Sequence, residues 1–311
     1  MDTTTAFIVT ILATAIRAGA PVIYATVGEI FAERSGILNL GVEGMMLVGA
    51  VSGFIVAVKT GNPWAGVLAG MIAAGLLSLI HAFLTITLHA DQVVSGLALT
   101  IFGIGLSSFL GQNYVGVQGP QFSAVHIPVL SDLPWIGQIL FSHDVLVYLT
   151  FLLVPASAYF IHHTRPGLHL RAVGEDPTTA DVMGINVART RYIYTFVGGL
   201  LAGLGGASLS LAYTPGWTEG MSGGRGWIAI ALVIFAFWEP WRAMLGAYLF
   251  GSVQALQFNL QTIGITIPTY FLNMLPYLFT IIVLVFATGE RMKRHLGAPS
   301  ALGIPYIRGE R

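Results

Sequence analysis

Long apolar segments separated by short polar turns run along nearly the whole chain of 311 residues. A helix needs about 20 consecutive apolar residues to cross the hydrocarbon core of a bilayer, and about nine segments approach that length. They lie near residues 6–30, 37–58, 64–88, 93–111, 145–161, 192–212, 226–238, 243–259 and 269–288. The pattern predicts an all-α, polytopic bundle of about eight to ten transmembrane helices.

The seventh and eighth segments are short and are joined by the turn Glu239-Pro240-Trp241-Arg242. They form either two crossings or one re-entrant pair. Glycines also interrupt two regions, near residues 36–44 and 214–226. Interrupted helices are tolerated at membrane depth only where the backbone is buried in protein or faces a water-filled cavity. We therefore expect broken or re-entrant segments within a single transmembrane domain, residues 1–311.

Composition supports a membrane protein and excludes several other classes. Hydrophobic residues make up 55% of the chain and charged residues only 9%, against about 25% charged residues in ordinary soluble domains. A net charge of zero argues against a nucleic-acid partner. The absence of cysteine excludes disulfides, thiolate catalysis and cysteine-based metal sites. The N-terminus lacks the basic region of a cleaved signal peptide, so the first segment is expected to remain as a span.

The distribution of basic residues predicts the orientation, because short loops rich in Lys and Arg stay in the cytoplasm. Nine spans place the turn after the first span, the insert 165–191 and the tail 290–311 on one side of the membrane. These regions carry Arg34, Arg165, Arg171, Arg189, Arg191, Arg291, Lys293, Arg294, Arg308 and Arg311. The N-terminus is therefore predicted outside and the C-terminus in the cytoplasm. The long loop 112–144 then faces outward.

The insert 165–191 contains residues that typically begin and end a short helix. Asp176 suits the N-cap, Pro177 the first helical position and Gly184 the left-handed position after the last turn. Its apolar residues suit a groove on a partner, and they equally suit a helix that lies on the lipid surface. These apolar residues are Ala180, Val182, Met183 and Ile185.

Catalytic and nucleotide-binding signatures are missing from the sequence. The nearest match to a phosphate-binding loop, residues 53–60, has Val58 in place of the second glycine and lies in a continuous apolar segment. The spacing of His162, His163 and His169 does not suit a metal site. We expect no cofactor, no metal and no enzymatic activity, and any nucleotide chemistry is expected on another polypeptide.

Ionisable residues at membrane depth are functional candidates because burying them is costly. Arg17, Glu29 and Glu43 qualify, and Asn39 lies four residues before Glu43, a spacing that would place both on one helical face. Glu43 and Asn39 either line a solute path or form structural hydrogen bonds between helices. Two glycine-interrupted segments, one in each half of the chain, are typical of a translocation site.

Three motifs carry a family resemblance: ERSGILNLGVEGMMLVGA (33–50), RAVGEDPTTADVMGINVARTR (171–191) and GRGWIAIALVIFAFWEPWRAMLGAYLFG (224–251). They resemble the membrane permeases of bacterial ABC importers of the branched-chain amino acid and simple-sugar type. Within that group they are most similar to nucleoside permeases paired with basic-membrane lipoproteins. The likeness covers nearly the whole chain.

The resemblance implies a permease of the bacterial inner membrane that works with an ATP-binding subunit, a second homologous permease and an extracytoplasmic substrate-binding lipoprotein. The cytoplasmic helix would be the coupling helix, seated on the ATP-binding subunit through Glu175, Asp176, Pro177, Ala180, Met183, Gly184 and Ile185. The solute path would pass Asn39 and Glu43, and Trp217 or Trp227 would stack on a ring.

Three alternatives to a nucleoside permease stay open. The solute would be a simple sugar or a branched-chain amino acid in a closely related importer. An ion-coupled secondary transporter would instead use Glu43 or Glu29 as a proton or sodium site. An intramembrane enzyme would need a convergent catalytic set, which the sequence lacks.

Overall fold

The computed structural model describes residues 3–262 and 297–308, together with residues 271, 274, 278 and 281. Regular structure in these ranges is helical, apart from two isolated backbone bridges. The predicted ninth span, 269–288, lies largely outside the described residues. Four of the basic residues that predicted the orientation also lie outside them, namely Arg291, Lys293, Arg294 and Arg311.

The described part of the chain contains eleven α-helices. They are α1 (Thr3–Arg34), α2 (Val42–Thr60), α3 (Pro63–Ala82), α4 (Gln92–Gly111), α5 (Ile136–Leu140), α6 (Val145–His163), α7 (Arg165–Glu175), α8 (Pro177–Val182), α9 (Val187–Ser208), α10 (Arg225–Phe235) and α11 (Pro240–Thr262). Five-residue π-helical turns, Phe83–Thr87 and Leu209–Tyr213, continue α3 and α9.

Six of these helices are long and apolar enough to cross a membrane: α1, α2, α3 with its π-helical turn, α4, α6 and α9 with its π-helical turn. The chain is therefore a multi-pass membrane protein with an all-helical bundle, as predicted. The seventh predicted span, 226–238, is occupied by α10, which has only 11 residues. At 1.5 Å per residue it covers about half of the ~30 Å hydrocarbon core. The short seventh segment is therefore a helix that does not cross the bilayer by itself.

Residues 214–238 nevertheless cross the bundle from one side to the other. Trp217 packs against Gly111 at the C-terminal end of α4. The indole N–H of Trp238 donates to Glu33 Oε2 at 2.6 Å, at the C-terminal end of α1. Since α1 to α4 alternate in direction, these two helix ends lie on opposite sides. The crossing is half loop and half helix, and α11 then returns antiparallel to α1, so the two segments are not a re-entrant pair.

Glycine allows the central helices to approach each other closely. A Cβ on Gly49 would lie 2.6 Å from the Cα of Gly203, and a Cβ on Gly70 would lie 2.5 Å from the carbonyl oxygen of Gly49. A Cβ on Gly28 would lie 2.7 Å from the carbonyl oxygen of Gly198. Small residues allow this spacing, which maximises dispersion contacts where lipid removes the hydrophobic drive between helices. Helices α1, α2, α3 and α9 thus form the rigid centre of the bundle.

Candidate translocation and coupling site

The chain between α1 and α2, residues 35–41, is not helical although it lies among the helices. Gly36 has a φ of +92°, a left-handed conformation that side chains disfavour. A buried segment outside a helix must find partners for its backbone groups elsewhere. Two of its N–H groups find them on side chains of α4 and α1: Leu38 N donates to Gln92 Oε1 at 2.7 Å, and Asn39 N donates to Glu29 Oε1 at 2.9 Å.

Two carbonyl groups of the same segment are paired with α3 and α4. His81 Nε2 lies 3.1 Å from the carbonyl oxygen of Leu38, and its Nδ1 lies 3.0 Å from Ser95 Oγ. The hydroxyl of Thr100 donates to the carbonyl oxygen of Leu40 at 2.8 Å. Side chains of α1, α3 and α4 therefore hold the first interruption in one conformation.

The N-terminal end of this segment is held by α9 and the tail. Arg191 Nε donates to the carbonyl oxygen of Ser35 at 3.2 Å, and Arg191 is only 2% exposed. Gly303 N donates to the carbonyl oxygen of Gly36 at 3.2 Å. The sequence predicted Arg191 only as a topology anchor, and it gave no role to His81. A histidine within an apolar run was the one signal that could have indicated His81.

Glu43, in the first turn of α2, connects the two interrupted regions, residues 35–41 and residues 214–226. Its Oε1 accepts hydrogen bonds from Ser222 Oγ at 2.5 Å and Gly224 N at 2.9 Å, and its Oε2 accepts one from Gly226 N at 2.6 Å. Gly224 and Gly226 lie at the N-terminus of α10, where free N–H groups and the helix dipole favour an anion. The carboxylate of Glu43, which follows the first interrupted region, therefore caps the N-terminus of α10, which follows the second.

The fit around Glu43 leaves no room for a side chain at Gly226, where a Cβ would lie 2.5 Å from the backbone of Glu43. Next to it, Arg225 Nη1 donates to the carbonyl oxygen of Ser222 at 2.9 Å, and its guanidinium lies 5.2 Å from the ring centre of Tyr213. The junction of α2 and α10 is thus a compact, charged site inside the bundle.

The four residues predicted to line the solute path lie in different surroundings. Asn39 precedes α2, so the expectation that it shares a helical face with Glu43 is wrong. Instead, its Oδ1 accepts a hydrogen bond from Gly41 N at 3.0 Å. Asn39 and Trp217 are 1% exposed and Glu43 is 5% exposed, whereas Trp227 is 38% exposed. The structure brings Glu43 and the start of α10 together, and the role of all four residues in a path stays a prediction.

The short helix predicted within the insert 165–191 is present as α8. Asp176 is its N-cap and accepts a hydrogen bond from Thr179 N at 3.0 Å, with Pro177 at the first helical position. The hydroxyl and the backbone N–H of Thr179 hold the pKa of Asp176 below its ordinary value. Gly184, at φ +84°, ends the helix. Hydrogen bonds from residues 184 and 185 back to residues 181 and 180 complete this C-terminal cap.

Side chains of α8 divide into an exposed set and an inward set. Val182 and Met183 are 81% and 76% exposed. Ala180 is buried against Val173 and Val187, so it faces its own chain. Glu175 accepts hydrogen bonds from Ser300 in the tail. The apolar surface available to a partner is therefore centred on Val182 and Met183, and α8 does not lie alone on the membrane surface.

Two features of the insert went unpredicted from its sequence. Residues 165–175 form a second helix, α7, whose N-cap Thr164 accepts a hydrogen bond from Gly167 N at 3.1 Å. The tail also folds back onto α7 and α8.

Among the described residues, no group of three or more His, Asp or Glu side chains could hold a metal ion.

Two interrupted crossings that meet at Glu43 are typical of membrane transport proteins. A family model described as the permease component of branched-chain amino acid transport systems matches residues 11–288. The chain therefore belongs to this permease family. No solved structure matches it.

Curated relatives cover nearly the same length. The chain is 41% identical to the putative glucose ABC transporter permease protein TsgC13 of Haloferax volcanii, over 94% of this chain and 96% of the relative. It is 38% identical to the guanosine ABC transporter permease protein NupQ of Bacillus subtilis, over 94% of both chains. It is 37% identical to the nucleoside ABC transporter permease protein NupC of Lactococcus lactis, over 93% of this chain and 94% of the relative.

Proposed function

We propose that this chain is the translocation subunit of an ABC importer that takes up nucleosides, and that a separate subunit binds and hydrolyses ATP. The observation that carries the proposal is α8, a doubly capped helix with Val182 and Met183 exposed at its end, in a chain 37–38% identical to two nucleoside permeases over nearly its full length. Because both ends of the helix are capped, we expect it to move as one piece when a bound partner moves.

Movement of α8 has a direct route into the bundle. Helix α9 starts five residues after α8 ends, and its Arg191 donates to the carbonyl oxygen of Ser35 in the first interruption. That interruption leads into α2, whose Glu43 caps α10. When ATP binding closes the partner subunits, α8 moves, and both broken crossings move with it. The chain thereby alternates between outward and inward access.

The proposal includes an orientation, which rests on the distribution of basic residues, and a set of partners. The N-terminus lies outside and the C-terminus inside the bacterial cytoplasmic membrane, with α8 and residues 297–308 on the cytoplasmic side. The outward loop 112–144 presents exposed apolar residues, among them Val129 at 75% and Trp135 at 56%. These suit docking of a substrate-loaded lipoprotein. A second, homologous permease completes the transport pathway.

A sugar is the second candidate solute, because the relative named as a putative glucose permease is 41% identical to this chain. Nucleosides are favoured because two relatives are named for guanosine or nucleoside transport. Trp227, at the start of α10 and 38% exposed, offers an aromatic surface on which a base would stack.

Uptake by the reconstituted importer tests the proposal. Proteoliposomes that contain both permeases and the ATP-binding subunit are supplied with the loaded binding protein, and uptake of radiolabelled guanosine, glucose and leucine is compared. We expect ATP-dependent uptake of guanosine only. Uptake of glucose alone would establish the sugar alternative. Uptake driven by a proton or sodium gradient without the ATP-binding subunit would refute the proposal.

A further inference from the structure

The tail segment 300–308 contacts three parts of the cytoplasmic end of the bundle, namely α7, α8 and segment 35–41. Ser300 Oγ donates to Glu175 Oε2 at 2.8 Å, and Ala301 N donates to the carbonyl oxygen of Gly174 at 2.9 Å, both at the end of α7. Arg308 Nε forms an ion pair with Asp181 Oδ2 of α8 at 2.9 Å. A segment held at both ends by such contacts has a defined position beside α8.

The middle of the segment reaches the first interruption. Arg191 Nη1 donates to the carbonyl oxygen of Ile304 at 3.2 Å, while its Nε donates to the carbonyl oxygen of Ser35. Gly303 N donates to the carbonyl oxygen of Gly36. The segment thus connects α8 with residues 35–41 in two ways. One contact runs through Arg191 of α9, and the other is the direct hydrogen bond from Gly303 to Gly36.

The outer side of the segment is apolar and exposed. Ile304 is 56% exposed and Ile307 is 40% exposed, while Tyr306 packs against the same buried group as Ala180. A cavity of about 430 Å³ separates the segment from the turn after α8, with Tyr306 and Arg308 on one wall and Gly184 on the other. A second cavity of about 600 Å³ lies between the same turn, α7 and α9.

We propose that residues 300–308 are a second coupling element, which extends the docking surface of α8 for the ATP-binding subunit and links that surface to segment 35–41. This inference rests on the proposed function. The partner is the ATP-binding subunit because the Asp181–Arg308 ion pair holds the tail, with its exposed isoleucines, beside the helix whose Val182 and Met183 are proposed to dock there. The partner would present a continuous apolar groove with polar groups at its rim.

Cysteine protection tests this assignment, because the chain has no cysteine of its own. Single variants Ile304→Cys, Ile307→Cys and Met183→Cys are placed in nanodiscs with the second permease, and maleimide labelling is compared with and without the ATP-binding subunit. Glu219→Cys, exposed at the opposite end of the bundle, is the control. We expect at least about tenfold slower labelling at positions 183, 304 and 307 when the subunit is present, and no change at 219.

The outcomes separate the inference from the proposed function. Protection of Met183→Cys with unprotected Ile304→Cys and Ile307→Cys would overturn the inference and leave the proposed function standing. Absence of protection at all three positions would overturn both. Protection without the ATP-binding subunit would assign the surface to lipid or to the second permease, and would also overturn the inference.

A double variant tests the docking surface itself. Ile304→Asp combined with Ile307→Asp changes only exposed side chains, so folding should be preserved. We expect retention of the ATP-binding subunit to fall about tenfold, as for the loss of two apolar contacts. Retention equal to wild type, at unchanged thermal stability, would contradict the proposal.

Discussion

Replacing Glu43 by Gln separates its structural function from a function in the solute path. The carboxylate accepts three hydrogen bonds, from Ser222, Gly224 and Gly226. An amide keeps one oxygen and presents an NH₂ group in place of the other, so at least one of these donors faces another donor. In the better orientation, the oxygen stays with Ser222 and Gly224, and Gly226 N loses its acceptor.

The cost follows from those contacts. One orphaned buried N–H costs about 1–3 kcal/mol, and two charge-assisted hydrogen bonds become weaker neutral ones at about 1 kcal/mol each. The neutral amide is easier to bury, which offsets part of this loss. We expect a net loss of about 2–4 kcal/mol in the free energy of unfolding, which for a chain of 311 residues corresponds to an apparent Tm lower by about 3–6 °C.

Thermal unfolding in detergent, followed by tryptophan fluorescence, measures this effect. Glu219→Gln is the matched control, since it removes the same charge from an exposed position in the region that contains the partners of Glu43, and its Tm should stay within about 1 °C of wild type. A Glu43→Gln protein with the Tm of wild type but altered uptake kinetics would refute the structural function and support Glu43 as a path residue.

Two further substitutions test the packing of the bundle and the first interruption. Gly49→Leu should prevent assembly of the central helices, because even a Cβ there would lie 2.6 Å from the Cα of Gly203, whereas Gly105→Ala, with open space around it, should leave the yield of folded protein unchanged. His81→Phe should cost about 1–3 kcal/mol and lower the Tm, because the carbonyl oxygen of Leu38 loses its partner; a Tm equal to wild type would show that the interruption does not depend on this contact.

Local patterns in the sequence were sufficient for much of this fold. The apolar segments predicted the spans because their signal extends over about 20 residues. The caps of α8 followed from Asp176, Pro177 and Gly184 because capping chemistry acts within a few residues of the chain. The glycine-interrupted regions were also located correctly at 36–44 and 214–226.

What could not be predicted depends on contacts between distant parts of the chain. Glu43 was a candidate from its depth, but only the fold shows that its partners lie about 180 residues away at Ser222 and Gly224. The burial of Ala180 against Val173 has the same origin. The length of α10 was misjudged because apolar residues continue past its end, where the backbone turns at Phe237 and Trp238 with positive φ.

The amount of solute transported per ATP hydrolysed tests whether the ATP-binding subunit drives transport through α8. Proteoliposomes with the complete importer are compared for wild type, the double variant Asp176→Ala with Gly184→Val, and the control Thr178→Ala, which changes an exposed residue of the same helix. We expect that the double variant still hydrolyses ATP but transports at least about tenfold less solute per ATP, while the control behaves as wild type. An unchanged ratio in the double variant would contradict this expectation.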